Sequence, residues 1–280
     1  MKTILYATDY SENSVTALQW ADTLQRKLKA KLYVLHVFDM SVTFISTVSI
    51  AYARLEENTF KTHTQRLHQF YKEHLGTVPN ENVEIAVSES SIASQGILEK
   101  AEAVNADLIV IGMKGSTTVR QFFVGSTASA LIGTSYVPVL TIPEDAKTVS
   151  LKKIVYATAF EQADILAVHR LVALAAPFDA EIKLIHISPQ HEYAGEEQMA
   201  WFQEMLQQKV GYPKVSFELR FAEDIVPSLN SFVEEVAGDI IAMLEREGHS
   251  LLKSIWHRDS VKQMKEEGTI PVLSFHKKNL

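Results

Sequence analysis

Two glycine-bearing segments hold most of the chemistry of this 280-residue chain. Gly112-Met113-Lys114-Gly115 comes first, and Gly125-Ser126-Thr127-Ala128 follows after nine residues. Gly112 and Gly115 let the backbone turn tightly and approach a ligand with no Cβ in the way. Gly125, Ser126 and Thr127, placed at the start of a helix, offer free N–H groups and the positive end of the helix dipole to an anion. The Ser126 and Thr127 hydroxyls can donate to phosphate oxygens. Asp9 supplies a carboxylate able to accept from a ribose hydroxyl or an adenine amine. Lys114 and Arg120 either neutralise phosphates or sit as solvated loop charges. Gly115-Ser116-Thr117 is not a P-loop, because the lysine and the spacing are absent. On spacing alone the glycines also read as turn punctuation, and Asp9 as a capping partner beside Ser11.

Such a loop acts only where strands and helices bring its parts together. Ile4–Ala7 is a short apolar run, fit for a buried strand. Ser11 can cap a helix whose apolar residues Ala17, Leu18, Ala21, Leu24 and Leu28 recur at three and four. Strands are expected over Lys31–Phe38, Val83–Val87, Leu108–Ile111 and Val137–Ile142. Helices are expected over Leu55–Leu75 and Ser94–Ala103, with a short one after Gly125. Strand alternating with helix implies parallel pairing and helices on both faces. In such sheets, ligands settle beyond the carboxyl ends of the strands at the switch point. If the first and fourth strands are neighbours there, Asp9 meets the glycine loop.

The whole pattern occurs twice. Ile4-Leu5-Tyr6-Ala7-Thr8 matches Ile154-Val155-Tyr156-Ala157-Thr158, and Leu35-His36-Val37 matches Ile185-His186-Ile187. Asp107-Leu108-Ile109 matches Asp239-Ile240-Ile241, and Val137-Pro138-Val139-Leu140 matches Ile270-Pro271-Val272-Leu273. The order is kept, and the middle of the second copy is shorter. Domains are therefore expected over 1–146 and 150–280, split in the polar stretch Pro143–Leu151. The fold class is α/β: two tandem Rossmann-like, three-layer domains. The final strand of each copy is an edge that needs cover. Pairing these strands across the tandem would make a pseudo-dimer within one chain.

Composition narrows the function. There are no cysteines, so thiol catalysis, thiolate metal sites and disulfides are excluded. The net charge of −7 argues against a nucleic-acid binder. No segment approaches the roughly 18 apolar residues of a membrane span. The first apolar run is too short for a signal peptide and is broken by Asp9, so a cytoplasmic location is expected. His63, His68 and His74 lie at spacings of five and six, which do not share one helix face. A solvated surface is expected for them rather than a zinc site. His36 and His186 hold equivalent strand positions, which suggests a structural hydrogen bond. Val37 reads first as a core residue. Met40–Ala53 reads as a lid, a partner surface or a loop.

With Gly112-x2-Gly115-x9-Gly125-Ser126, Thr8-Asp9, His36-Val37 and Val137-Pro138-Val139-Leu140, the chain resembles the universal stress protein family in its tandem form. That resemblance implies a five-stranded parallel sheet in each copy. It implies ATP, or ADP or AMP, wherever the glycine signature survives, with Mg2+ as a companion on the phosphates. It places Thr8, Asp9 and Val37 around adenosine, and Gly112, Met113 and Gly115 along the ribose and phosphates. Gly125, Ser126, Thr127 and Ala128 would hold the phosphates.

The second copy departs from the signature. Asp9 becomes Ala159, the glycine segment becomes Leu244-Glu245-Arg246-Glu247, and Gly125-Ser126 faces Trp256-His257-Arg258-Asp259. Carboxylates in that place repel phosphate, so a single nucleotide per chain is expected. No general base accompanies the loop, so little or no hydrolysis is expected. The leading reading is a nucleotide-gated adaptor with a protein partner, open to further self-association. The alternative is a non-nucleotide scaffold that acts through partner binding. An adenylate-forming enzyme is a weaker third.

Overall fold

The computed structural model describes residues 1–40, 50–113, 125–147, 149–188, 195–245 and 270–277. The N-terminal half runs β1 (Thr3–Ala7), α1 (Glu12–Leu28), β2 (Lys31–Phe38), α2 (Ile50–Leu75), β3 (Val83–Glu89), α3 (Ala93–Ala103), β4 (Leu108–Met113), α4 (Ser126–Thr134) and β5 (Val139–Pro143). The C-terminal half runs β6 (Lys153–Ala157), α5 (Gln162–Ala175), β7 (Glu181–Ser188), α6 (Gly195–Lys209), β8 (Val215–Phe221), α7 (Ile225–Val236), β9 (Ile240–Glu245) and β10 (Val272–His276).

One ten-stranded sheet holds them, in the order β3-β2-β1-β4-β5-β10-β9-β6-β7-β8. Within each half the pairing is parallel. The join is antiparallel, with Leu273 opposite Leu140 and Ser274 opposite Val139. Each half thus covers the other's last strand, the expected answer to an exposed edge. Thr141, fully buried at this seam, donates its hydroxyl to the Val272 carbonyl at 3.1 Å.

Strand alternation sorts the core into two layers. Ile4, Tyr6, Leu108 and Val110 face the layer under α1 and α2, with Ile154, Tyr156 and Ile240 from the other half. Leu5, Ala7, Ile109 and Ile111 face the layer under α3 and α4, with Val155, Ile241 and Met243. Both faces of β1 and β4 are therefore covered, as continuous apolar runs require. Helix α1 buries Ala17, Leu18, Ala21 and Leu24 at helical spacing. It ends where Lys29 turns left-handed and returns its N–H to the Gln25 carbonyl.

Some expectations need correction. Ser11 is the first residue before α1, yet its side chain makes no cap bond to the helix. Strand β4 runs through Met113, so Gly112 is extended strand rather than turn. Strand β5 starts at Val139, two residues later than expected. The segment between β5 and β6 is fastened to α1: Thr16 Oγ1 donates to Glu144 O at 2.8 Å and Trp20 Nε1 to Lys147 O at 3.0 Å.

The repeated aspartate has a mechanical reason. Asp107 Oδ2 accepts the amides of Lys2 and Thr3, at 2.6 and 3.0 Å, and so ties the start of β1 to β4. Asp239 does the same for Lys152 and Lys153, at 2.7 and 2.8 Å. Asp107→Ala should cost about 1 kcal/mol, since the contacts are charge-assisted but exposed. Urea unfolding reads this directly, and an unchanged midpoint would show the tie to be idle.

Candidate functional site

The site begins in the turn after β1. Buried Tyr6 donates to the Ser14 carbonyl at 2.6 Å, and burial holds its phenol well above the usual value. Thr8 Oγ1 donates to Ser14 Oγ at 2.8 Å, and Ser14 Oγ passes on to the Ser11 carbonyl at 2.6 Å. Asp9 Oδ1 accepts the Ser11 amide at 3.0 Å and also the Ser11 hydroxyl. Side chains thus stitch the turn to the first turn of α1, with Asp9 exposed beside it.

Gly112 lies against that same helix start. A Cβ built there would stand 2.5 Å from the Asn13 carbonyl oxygen and 2.9 Å from Ser14 Cα. Its glycine is needed first by helix-on-strand packing, a role the spacing alone does not reveal. Gly125 is the opposite case. Its φ is −56°, and a Cβ there meets nothing within 4 Å. No requirement of the fold among the described residues explains it. It precedes α4, whose first N–H groups have no partners within the helix.

Strand β2 adds a backbone pair. Lys31 N bonds Lys2 O, and Leu35 O accepts Thr8 N, so the odd residues of β2 point at β1. Leu32 N and Phe38 O bond toward β3. Val37 therefore directs its N–H and C=O past the end of β1, which stops at Ala7. Its side chain is half-buried against α3, where Gly96 makes room for it. Val37 is thus packed as the core reading expects, and it also lines the cleft.

These pieces meet in a cleft of about 340 Å3 beyond the carboxyl ends of β1 and β4. Thr8, Asp9, Val37, Gly112, Met113, Gly125, Ser126, Thr127 and Ala128 all line it. Gly115, Lys114 and Arg120 lie outside the described residues, as does most of Met40–Ala53. Ser11, Asn13, Ala93 and Ile97 also line the cleft and were missed from sequence. Ala93 and Ile97 stand four apart on α3, so they share a face. Placing that face needed the strand order, which a single sequence does not print.

The reverse face of the sheet carries an aromatic cluster. His36 Nδ1 bonds the Thr8 carbonyl at 2.8 Å, so this nitrogen carries the proton. His186 Nδ1 bonds Thr158 O at 2.8 Å in the other half, the structural role expected of the pair. His63 corrects the expectation of a solvated surface. It stacks on Phe38 at 4.3 Å and on His36 at 5.2 Å, with its Nδ1 buried and without a hydrogen-bond partner among the described residues. His68 and His74 are exposed as expected. Burial, then the Arg66 charge, holds His63 below its usual value. Burial does the same to His36, against the Thr8 bond, with His63 and Arg66 adding to the depression.

In the second half, Asp164 replaces Ser14 and is fully buried. Its carboxylate accepts from Tyr156 Oη, Thr158 Oγ1 and the amides of Ala159 and Glu161, at 2.8–3.1 Å. Leu244 and Glu245, both buried, end β9 where Gly112 and Met113 end β4. Lys277 closes on Glu161 at 3.1 Å. Arg246, Glu247 and 256–259 lie outside the described residues.

A parallel α/β sheet with a cleft at its switch point defines a Rossmann-like architecture, present here as two joined copies of one topology. The model of the universal stress protein family matches residues 1–143, and the chain belongs to that family. A Staphylococcus saprophyticus protein named for the same family is 33% identical over 151 residues, covering 51% of this chain and 87% of that one. A universal stress protein of Methanocaldococcus jannaschii is 28% identical over 151 residues, covering 52% of this chain and 84% of its own. The crystal structure of a universal stress protein from Archaeoglobus fulgidus aligns over 98% of both chains, with a TM-score of 0.70 at 17% identity. Among the described residues no helix is long and apolar enough to cross a membrane.

Proposed function

We propose that the N-terminal half, residues 1–146, binds one molecule of ATP, and that 150–280 is a companion domain without a nucleotide. The observation that carries this reading is the convergence of four separate segments on one cleft. Residues 8–9, 37, 112–113 and 125–128 meet there, with Gly125 open where the fold asks for no glycine. The volume is at the small end of the ~300–1,000 Å3 usual for ligand sites.

Each part has a task. The amides of Ser126, Thr127 and Ala128 receive phosphate oxygens at the start of α4. Thr8, with Asp9 beside it, faces the ribose, and Asp9 Oδ2 has no partner among the described residues. The N–H and C=O of Val37 match the N1 acceptor and the 6-amino donor of adenine. Ala93 and Ile97 give the base an apolar wall. Met113 flanks the ribose and phosphates; Gly115 is assigned to them from the sequence signature alone. Mg2+, where it accompanies ATP, is carried on the phosphates: no cluster of three ligating side chains occurs among the described residues. Among the described residues no group is placed to activate a water, which favours reading the protein as a nucleotide-gated adaptor with little or no hydrolysis; ADP or AMP can share the site. In the second half, Asp164 already occupies the turn amides and Leu244 fills the glycine position.

Calorimetry with ATP and GTP tests the site. Guanine reverses the donor and acceptor that Val37 meets, and a mismatched buried pair leaves polar groups unsatisfied. ATP should bind at a ratio of one per chain and at least about tenfold tighter than GTP. Equal affinities would remove the base-reading role of Val37. No binding of either, with no nucleotide released on denaturation, would overturn the proposal.

A further inference from the structure

We propose that a histidine stack behind the sheet makes the cleft proton-sensitive: protonation of His36 and His63 loosens α2 from β2, unclamps Tyr10 and frees the adjoining Asp9 turn. The proposal rests on the reading of the cleft as a nucleotide site.

Tyr10 is the link. It follows Asp9 and has φ of +66°, a left-handed conformation that a bulky residue holds only under constraint. The constraint is a clamp of rings. Tyr10 lies 4.3 Å from His36 and 5.4 Å from Phe70, with the Arg66 guanidinium 4.1 Å above its ring. Its hydroxyl reaches the His63 carbonyl at 3.5 Å. Three of the four contacts come from α2, so a seated α2 adds a second hold on the Asp9 turn beside its bonds to the start of α1.

The seat is built from groups that gain charge in mild acid. His36 already donates from Nδ1, so a proton must add at Nε2, within the cluster. Among the described residues, the charges acting on His36 are His63 and Arg66 from α2 and Asp9 from the β1–α1 turn. Arg66 also acts on His63. Two protonated rings beside Arg66 would set three positive charges against one exposed carboxylate. The packed state therefore disfavours both protons, whereas an opened state takes them near the ordinary histidine value of about 6.5. Packing is fully favoured above that pH and is progressively lost as the pH falls below it.

The second half supplies an internal comparison. Phe160, in the place of Tyr10, also holds a positive φ of 58°. It stacks on His186 at 4.5 Å and meets Phe202 in a tilted contact at 5.3 Å, rings of which only one can be protonated. The hydrogen bond from histidine to threonine carbonyl is thus structural in both halves. The second histidine and the arginine are additions beside the cleft that keeps its glycine loop.

ATP affinity should be measured by calorimetry from about pH 8 to about pH 5 for the parent chain and His63→Phe, with histidine ring NMR on the ligand-free parent. The parent should hold its affinity down to about pH 6.5 and then lose up to about tenfold per pH unit for each coupled proton. His63→Phe keeps the stack on Phe38, so it should match the parent above about pH 7 and fall less steeply below. Protonation of ATP itself is common to both proteins. Parallel curves would overturn the proposal. If ATP binds at no pH, the nucleotide reading fails, and the device is judged by NMR alone. The His36 and His63 rings titrating together with shifts of the Thr8 and Asp9 amides supports it; ring titration with those amides unmoved overturns it.

Discussion

Gly125→Glu should weaken ATP binding by about 30-fold or more while leaving the folded chain as stable as before, or slightly more so. The two effects have opposite causes. Built on Gly125, a Cβ meets nothing within 4 Å among the described residues and sits at an ordinary φ, so the first carbon of a side chain is accommodated without strain. A carboxylate there also lies at the positive end of α4, a placement worth about 0.3–1 kcal/mol to the helix. For a phosphate ligand the same carboxylate is a like charge at contact. Two unit charges about 4 Å apart near a protein surface repel by about 4 kcal/mol before salt screening. Half of that is already about a 30-fold loss of affinity. Gly125→Ala, which adds a methyl and no charge, should bind nearly as the parent does. Calorimetry with ATP and a thermal melt of the three proteins separate the effects. A Gly125→Glu protein that binds like the parent would remove the α4 N-terminus from the site.

The sequence carried the element order well because its signals are local. Buried strands such as Leu108–Ile111 and the stripe on α1 announce themselves by run and period. The internal repeat went further and located the seam between β5 and β10, since two copies with matching edges have one economical way to join. The cleft was half legible. Residues on turns and at a helix start stand out because few residue types suit them. Ala93, Ile97 and Asn13 do not, because their role exists only once α3 and α1 are laid against particular strands. The same limit explains Gly112. Spacing marks it as special, but only the 2.5 Å approach to Asn13 shows that the helix, as well as any ligand, needs the missing Cβ. His63 is hidden for a related reason. Its spacing from His68 and His74 reports only on its own helix, whereas its partners His36 and Phe38 lie on β2.

Exchanging the residues that end β4 and β9 should destabilise the chain in both directions. Gly112→Leu drives a side chain into the backbone of Asn13 and Ser14, with a Cβ contact at 2.5 Å that rotamer choice cannot relieve. Overpacking of this kind costs about 1–3 kcal/mol, occasionally more, and backbone on backbone belongs at the upper end. Helix α1 would have to lift, taking Ser14 away from Tyr6 and Thr8. Leu244→Gly fails for the opposite reason. Leu244 is 4% exposed and packs in the layer that holds Tyr156 and Phe275. Removing it leaves a cavity worth about 2–5 kcal/mol, and a glycine within a strand adds about 0.5–1 kcal/mol. Urea unfolding of the two variants measures both losses; a change below about 0.5 kcal/mol in either would show that its helix had adjusted freely. The second half has therefore not merely lost a loop. Its helix is seated for a leucine and fixed by the Asp164 carboxylate on Tyr156, Thr158 and two turn amides. Leu244→Gly should accordingly gain no nucleotide, because Ala159, Glu245 and the Lys277–Glu161 pair remain, and the Asp164 carboxylate still fixes the turn after β6.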